Sequence, residues 1–346
     1  MTRASDTAKL LGAGGSILGS LDVGGGQIGG RRNLIINGAM QVAQRGTSAS
    51  SKTTSDYFTC DRWRTEASGA TYNTSQQTNS ASDMATTGAE HFLRMEVTTA
   101  NNNSGISQKI EAQNIKQFKG KKLTLSFYAK GTNPNGGSFT LTRFFSDDVN
   151  SSSTAEHTSF TITSSWVKYT ITFDYPDEGS VNLTLNTAKM AISFLQPNGD
   201  TTTNAWTLDI TGVQLEVGSV ATPFEHRSFG EELALCQRYC YRINSNGSDD
   251  IQIGSGFYMT TTTCRITINF PVTMRAECAV TALDSGLDIL RDGSADTAIS
   301  ITSSIDESAH GTGLNIEGAA STTVGEGVVL RLGPEAANFI EFDAEL

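Results

Sequence analysis

The chain has 346 residues and a formal net charge of −11, from 36 acidic and 25 basic side chains. Affinity for nucleic-acid phosphates comes mainly from clustered Lys and Arg, so this balance argues against nucleic-acid partners, and it also disfavours anionic membranes. No run of about 18 apolar residues occurs, so we expect no membrane insertion. Thr (44) and Ser (36) together supply 80 residues, which favours β-strands with polar faces joined by turns.

The cysteines and histidines predict no cofactor and no zinc site. The five cysteines are scattered without a C-x-x-C pair, and the four histidines show no metal-ligand spacing. Buried thiols are the expected state, although Cys236 and Cys240 could supply two metal ligands if others came from elsewhere. We also expect synthesis in a cytosol, because no stretch has the features of a secretory signal.

Residues 1–32 are predicted to be a flexible attachment tail. This segment holds nine glycines, and its apolar residues are too thinly spread to form a core. Such a tail orders only against another surface. We therefore expect it to attach the protein to a larger particle.

Residues 33–227 show the pattern of an all-β domain. Short segments alternate apolar and polar residues with period two, which is typical of half-buried strands. Polar gaps such as 71–87 separate them, and antiparallel strands joined by turns predict a jelly-roll or β-sandwich. The predicted strands include Leu123–Ala129, Phe139–Thr142, Phe160–Ile162, Tyr169–Phe173 and Val181–Leu185.

A short connecting helix is predicted over 228–244. Ser228 and Glu231 form a capping box, in which each side chain can bond the other residue's backbone N–H. Phe229, Leu233, Cys236 and Cys240 then fall on one narrow apolar stripe ending near residue 241. This stripe packs either on the protein's own sandwich or around a symmetry axis, where it would be the oligomer interface.

Residues 245–346 predict a second, C-terminal β-sandwich domain. Cys264–Phe270 and Ile340–Leu346 both alternate with period two. In the final segment the alternation places Glu341, Asp343 and Glu345 on one exposed face. Turn signals at 284–286 and 291–293 divide the domain.

Several motifs occur in a fixed order along residues 33–346. They are Asn33–Gly46, Asp61–Trp63, Ser165–Thr170, Val213–Gly218, Ala221–Glu225, Cys236–Tyr239 and Ile340–Leu346. As a set they resemble bacteriophage tail fibre and receptor-binding proteins. The resemblance implies a phage structural protein with a jelly roll like that of carbohydrate-binding modules, usually assembled as a homotrimer.

The jelly-roll comparison also implies a structural calcium site. In sugar-binding modules of this kind, an acidic residue of the opening strand and an Asp of the last strand share the ion, which prefers six to eight oxygen ligands. Asp209 occupies the last-strand position, but Met40-Gln41 replaces the acidic opening pair. The tryptophans Trp63, Trp166 and Trp206 are expected in the core rather than in sugar stacking.

The function expected from sequence is a tail fibre-type adhesin, not an enzyme. No stretch pairs carboxylates with an aromatic-rich cleft, and no G-x-S-x-G, H-E-x-x-H or G-K-[ST] motif appears. The tail would attach to a virion tail or capsid protein, leaving 245–346 to bind a host surface glycan or outer-membrane component. Candidate receptor contacts in this domain are Phe257, Tyr258, Asp292 and Asp296, in or beside the polar stretches 260–263, 292–296 and 303–311.

Two alternatives stay open from the sequence. The first is a capsid decoration or tail appendage without specific receptor binding, and the second is a glycan-degrading tailspike. In each case the expected location is the virion, after synthesis in the host bacterial cytoplasm. Position on the particle discriminates adhesin from decoration.

Overall fold

The predicted all-β fold class is confirmed. The computed structural model describes residues 32–67, 69–99, 104–133, 138–147, 156–196, 205–282, 286–291, 294–296, 299–318 and 323–346, so the predicted tail lies outside the described residues except for Arg32. The chain divides into two compact units, the first comprising the residues up to Phe229 together with Leu346 and the second spanning Gly230–Glu345. Within the described residues no helix is long and apolar enough to cross a membrane.

The first unit is a sandwich of two antiparallel sheets. Its six-stranded sheet has the order β1-β3-β4-β11-β6-β9 and its five-stranded sheet the order β2-β5-β10-β7-β8. The strands are β1 (Ser48–Lys52), β2 (Arg64–Glu66), β3 (Thr71–Thr78), β4 (His91–Thr99), β5 (Gly105–Glu111), β6 (Lys122–Thr132), β7 (Phe139–Ser146), β8 (Glu156–Phe160), β9 (Val167–Asp174), β10 (Lys189–Leu195) and β11 (Trp206–Val217).

The core of this unit lies between the inner faces of its two sheets. The predicted alternation of 123–129 falls in β6, where Leu123, Leu125 and Phe127 are fully buried. Trp63 and Trp206 are also buried here, and the Trp63 Nε1–H donates to the Asn37 carbonyl at 2.9 Å. These rings act as scaffold, because buried aromatic rings contribute much of a core's stabilisation.

Two segments of this unit differ from the sequence expectation. The polar stretch 71–87 forms β3 and a helix, α1 (Ala81–Thr87), which Ser80 caps by accepting from the Asp83 N–H at 3.1 Å. The predicted strand Val181–Leu185 is wrong, since this segment consists of turns. The Asn182 side chain accepts from the Thr184 N–H at 3.1 Å, and such local hydrogen bonds compete with the pairing of a strand in a sheet.

A second short helix, α2 (Ala112–Ile115), leads into a 3₁₀ turn, Lys116–Phe118.

Motifs from the two ends of the first unit meet in a cluster that we name the terminal latch, formed by Asn33, Glu225 and Arg227. The Glu225 carboxylate accepts from the backbone N–H groups of Arg32 and Asn33 at 3.0 and 2.9 Å. Arg227 donates to the carbonyls of Asn33 and Ile35. The latch therefore ties the start of the described chain to residues near the end of the first unit.

The connecting helix is shorter than predicted. Helix α3 (Phe229–Gln237) is followed by strand β12 (Cys240–Asn244), so Cys240 does not lie on the helix and the predicted stripe is interrupted. Cys236 and Cys240 are fully buried, Leu233 is half-buried, and Phe229 is 57% exposed. The strand forms because Cys240–Asn244 pairs antiparallel with Phe339–Asp343, a partner about 100 positions along the chain that local pattern cannot reveal.

The second unit is also a sandwich of antiparallel sheets. The described strands form one sheet of order β12-β21-β15 and one of order β17-β16-β20-β13-β14-β19-β18. Their bounds are β13 (Ile251–Tyr258), β14 (Thr263–Asn269), β15 (Ala279–Ala282), β16 (Leu287–Arg291), β17 (Ser294–Asp296), β18 (Ile299–Ser308), β19 (Gly311–Gly318), β20 (Gly327–Leu332) and β21 (Phe339–Asp343).

The core of this unit includes Cys264, Ile266 and Ile268, which are the apolar positions of the alternation predicted for 264–270. The expectation of three exposed carboxylates on the last strand is wrong for Glu341. Glu341 is 9% exposed and accepts from the Arg242 guanidinium at 2.9 Å.

All five cysteines of the chain are buried, as predicted. Burial raises the pKa of the Cys60 thiol, which keeps this thiol protonated.

Candidate functional site

The outer face of the five-stranded sheet carries an open groove with a volume of about 780 Å³. All five strands of the sheet contribute side chains to it. The residues that line this groove are Arg64, Glu66, Lys109, Thr140, Thr142, Phe144, Ser146, His157, Ser159, Lys189, Ser193, Leu195 and Gln196.

The strand register places one polar side chain from each strand in a single row across the groove. Ser193 of β10 lies opposite Ser107 of β5 on one side and Thr142 of β7 on the other. Arg64 of β2 continues the row beyond Ser107, and His157 of β8 continues it beyond Thr142. Neighbouring strands lie about 4.8 Å apart, so a row across five strands is about 19 Å long.

The groove exists because its floor is made of small residues. By register, Gly105 and Ser107 on β5 share the outer face of the sheet with Ala191 and Ser193 on β10. All four are buried and of these Ser193 lines the groove, so we call them its floor. Gly105 is required by close packing, because a Cβ built there would lie 2.0 Å from the Phe194 carbonyl oxygen. Longer side chains on the neighbouring positions rise on both sides of this floor.

Hydrogen bonds orient the polar groups of the row. The Ser107 hydroxyl donates to Glu66 Oε1 at 2.6 Å, and Arg64 forms an ion pair with the same carboxylate. Across the groove, the Thr142 hydroxyl and His157 Nδ1 are 3.1 Å apart. Ser107, Thr142 and Ser193 are buried, whereas Arg64 is half-buried and His157 is exposed. The exposed end of the row therefore offers oriented polar groups, which suit a ligand rich in hydroxyl groups.

An apolar surface lies beside this polar row. Phe144 of β7 is half-buried and stands directly opposite Ala191, whose methyl group leaves space above the floor. Leu195 adds a second apolar wall further along β10. A flat ring next to oriented polar groups can hold a ligand that has both an apolar face and hydroxyls.

The position predicted to bind calcium does not fit that ion. Both oxygens of Asp209 accept from the Arg94 guanidinium, at 2.8 and 2.7 Å, and Lys130 lies opposite Asp209 on β6. Burial raises the pKa of Asp209, and the two neighbouring cations oppose that rise. Among the described residues no group of three or more His, Cys, Asp or Glu side chains could hold a metal ion. Asp209 therefore acts as the partner of Arg94.

The structure describes three of the four residues predicted to contact a receptor, and one of these three is buried. Phe257 is 50% exposed on β13, but its neighbour Tyr258 is fully buried in the second core, so its ring cannot stack on a ligand. Asp292 lies outside the described residues, and Asp296 ends β17. The stretch expected as a loop from Ser303 is part of strand β18, which ends at Ser308.

Sequence reasoning missed the groove residues. The alternation of Phe139–Thr142 predicts a strand, and its polar positions, Thr140 and Thr142, are those that face the groove. That alternation was the available signal. The alternation shows that one face of β7 points away from the core, but it cannot show which strands lie beside β7.

Fold and groove together define an all-β sandwich protein with an open polar groove across one sheet. The sequence matches none of the protein families and none of the curated proteins with which it was compared. Among solved structures, the chain is similar to the enzymatically active domain of bacteriophage CBA120 tailspike protein 4, with 13% identity and a TM-score of 0.33. The match covers 54% of this chain and 21% of the tailspike chain, so this chain spans about a fifth of that length.

Carbohydrate-binding modules are also among the similar structures. The family 11 module of the cellulosomal cellulase Lic26A-Cel5E of Clostridium thermocellum shares 16% identity, with 51% of this chain and 97% of the module covered and a TM-score of 0.31. The CBM22-2 xylan-binding domain of Paenibacillus barcinonensis Xyn10C shares 13% identity over 45% of this chain and 91% of the domain, with a TM-score of 0.29.

Proposed function

We propose that the first unit is a glycan-binding module and that the groove on its five-stranded sheet holds the saccharide. The observation that carries this proposal is the polar row across a floor of small residues, with Phe144 beside it. Pyranose rings have an apolar face and a rim of hydroxyls, so they require an aromatic surface together with oriented hydrogen-bond groups. The groove supplies both.

A substitution that fills the floor tests this proposal. Ala191→Trp places an indole above the floor without entering the inner core, and it should abolish glycan binding. Phe144→Ala should weaken binding about 10- to 150-fold, because burying a Phe side chain contributes about 1.5–3 kcal/mol. The matched control is Thr170→Trp, which adds the same ring to an exposed position of β9 on the other sheet.

The measurement is a glycan array with the wild-type protein, followed by titration calorimetry with each glycan that binds. Circular dichroism establishes that the variants are folded. Binding that survives in Ala191→Trp would place the ligand outside the groove, and an array on which the wild type binds no glycan would overturn the proposed function.

For the biological role of the whole protein, we propose that it is a phage tail fibre-type adhesin located in the virion. Support comes from the ordered motifs along residues 33–346 and from a groove suited to a cell-surface glycan. In this proposal the protein is a homotrimer, is not an enzyme, and attaches to the particle through residues 1–32. The groove adds a binding surface in the first unit to the contacts expected in residues 245–346.

Competition with the virus tests the adhesin proposal. Purified protein in excess should block adsorption of the parent phage to its host, while Ala191→Trp should not. Light scattering should give three times the monomer mass. If the protein binds glycans but does not compete, the decoration alternative replaces the adhesin, and release of reducing sugar from a bound glycan would replace both with the tailspike alternative.

A further inference from the structure

Strand β9 is a long and regular edge strand of the first unit. It ends the six-stranded sheet and pairs with β6 in an unbroken antiparallel register. Its eight residues include no Gly or Pro, and six of them are β-branched or aromatic. Among the described strands, the other sheet edges have five residues or fewer, or are interrupted by bulges as in β18. A long regular edge is a template for pairing with another strand.

The backbone groups of β9 that face away from β6 belong to the even-numbered residues, which are Lys168, Thr170, Thr172 and Asp174. One position beyond this ladder, the Tyr175 N–H donates to the Lys121 carbonyl at 3.0 Å and continues the register. Because hydrogen-bonded and non-hydrogen-bonded positions alternate along antiparallel strands, the odd-numbered residues bond β6 and the even-numbered ones face the open edge. All four are exposed, and within the described part of the chain no strand pairs with this edge.

The edge is complementary to a second copy of itself. When two β9 strands pair antiparallel around Ile171, their edge-facing residues meet as hydrogen-bonded pairs. Lys168 then lies opposite Asp174 of the second copy, and Thr170 lies opposite Thr172. A lysine on an edge normally opposes pairing, but here each of the two lysines meets a carboxylate. Shifting the register by two residues in either direction takes both lysines away from that position.

The two charged side chains of the edge can reach a second copy. Lys168 is exposed and has no hydrogen-bond or ion-pair partner among the described residues. Asp174 is 78% exposed, and one of its oxygens accepts from Lys122 at 2.9 Å. A carboxylate has about four acceptor sites, so a second lysine can bind it as well. The Thr172 hydroxyl lies 3.0 Å from that of Thr124 in its own sheet, so Thr172 serves the edge through its backbone groups.

The same register suits the side of β9 that faces the core. Tyr169 and Ile171 are half-buried at the rim of the first core, and Phe173 is buried between β9 and the other sheet. Pairing around Ile171 places this residue opposite its own copy and Tyr169 opposite Phe173. Aromatic and β-branched pairs of this kind stabilise antiparallel strands. Both faces of the strand therefore match in one register.

We infer that two copies of this protein associate through β9, which joins their six-stranded sheets into one continuous antiparallel sheet about a two-fold axis at Ile171. The contact is isologous, because the same strand serves both copies. It joins two monomers, or two of the trimers proposed above, whose three-fold contact lies elsewhere. A single strand pair buries little surface, so the association is weak and doubles the mass only as the concentration rises.

Charge reversal tests the pairing by sedimentation velocity of the full chain between about 5 and 500 µM. The mass of the wild-type species should double over this range. Lys168→Asp or Asp174→Lys alone should weaken the association at least tenfold, because like charges then meet twice in each pair. An equimolar mixture of these two variants should associate as the wild type does, since every lysine again faces a carboxylate. Glu96→Lys, a charge reversal at an exposed position of β4 in the same sheet, is the control and should change nothing.

Disulfide trapping tests the register. Residues 170 and 172 of the two copies form a hydrogen-bonded pair with Cα atoms about 5.5 Å apart, which is within reach of a disulfide. A mixture of Thr170→Cys and Thr172→Cys proteins should form linked dimers on mild oxidation. Neither variant should do so alone at the same concentration, because two identical thiols would be diagonal neighbours about 7–8 Å apart. The five native cysteines are buried and leave the introduced thiol as the reactive one.

The outcomes decide the inference without reference to glycan binding. A mass that stays constant up to about 500 µM would overturn it. So would a doubling that charge reversal does not weaken, or a mixture of the two reversed variants that fails to associate, because the contact would then lie elsewhere. Circular dichroism establishes that each variant is folded, and Ala191→Trp tests the glycan-binding proposal separately.

Discussion

Replacing Glu225 by Gln tests whether the terminal latch stabilises the first unit. In the folded chain the carboxylate accepts from the backbone N–H groups of Arg32 and Asn33 at 3.0 and 2.9 Å, and Arg227 donates to it at 3.1 Å. Gln keeps one acceptor oxygen but turns the other into a donor that faces an N–H or the guanidinium. At least one hydrogen bond is thereby lost, because Oε2 accepts from both Asn33 and Arg227, and the remaining bonds lose the charge of the carboxylate.

The magnitude follows from those contacts. A hydrogen bond to a charged group contributes about 1.5–3 kcal/mol, and because the Glu225 side chain is partly exposed we expect a value of about 2 kcal/mol at pH 7. Although burial alone would raise the pKa of Glu225, the N–H groups of Arg32 and Asn33, together with Arg227, lower it. A lowered pKa in the folded state means that this stabilisation is present above the unfolded pKa of about 4.3 and is lost as the pH falls through the folded value.

The assay is urea unfolding followed by tryptophan fluorescence. All three tryptophans precede residue 229, so this signal reports on the first unit. The difference in unfolding free energy between wild type and Glu225→Gln should be about 2 kcal/mol at pH 7 and should shrink below about pH 4.3. Glu90→Gln, at an exposed carboxylate, serves as the control. A difference that stays constant with pH, or one below about 0.5 kcal/mol at pH 7, would refute this account of the latch.

Three further predictions concern packing and buried ion pairs. Gly105→Ala should destabilise the first unit by about 1–3 kcal/mol in the same fluorescence assay, since its Cβ would lie 2.0 Å from the Phe194 carbonyl oxygen. Asp209→Asn should cost about 2–3 kcal/mol by removing the charge-assisted hydrogen bonds with Arg94, whose side chain is 40% exposed. EDTA should leave the wild-type melting temperature unchanged; a loss of stability on chelation would restore the calcium interpretation. Asp288→Asn should speed hydrogen exchange in β16 and β20, because Asp288 accepts from Arg331 at 2.7 and 3.0 Å; unchanged exchange would mean that the pair contributes no stability.

The sequence by itself predicted the structural features that depend on the local pattern of apolar and polar residues. Period-two alternation reflects a strand with one buried face, and it located parts of β6, β7, β9 and β14 correctly. Where local side-chain bonds competed with the pattern the prediction failed, as at Val181–Leu185, where the Asn182 side chain stabilises a turn.

The groove was decided by the tertiary structure alone. Its row joins Arg64, Ser107, His157 and Ser193 from strands that are not consecutive in the chain, because the sheet has the order β2-β5-β10-β7-β8. Alternation shows that one face of a strand points outward, but not which strand hydrogen-bonds to it or in which register. The sequence therefore determined the class of fold, while long-range pairing of strands determined which small residues form the floor and which lysines stand beside it.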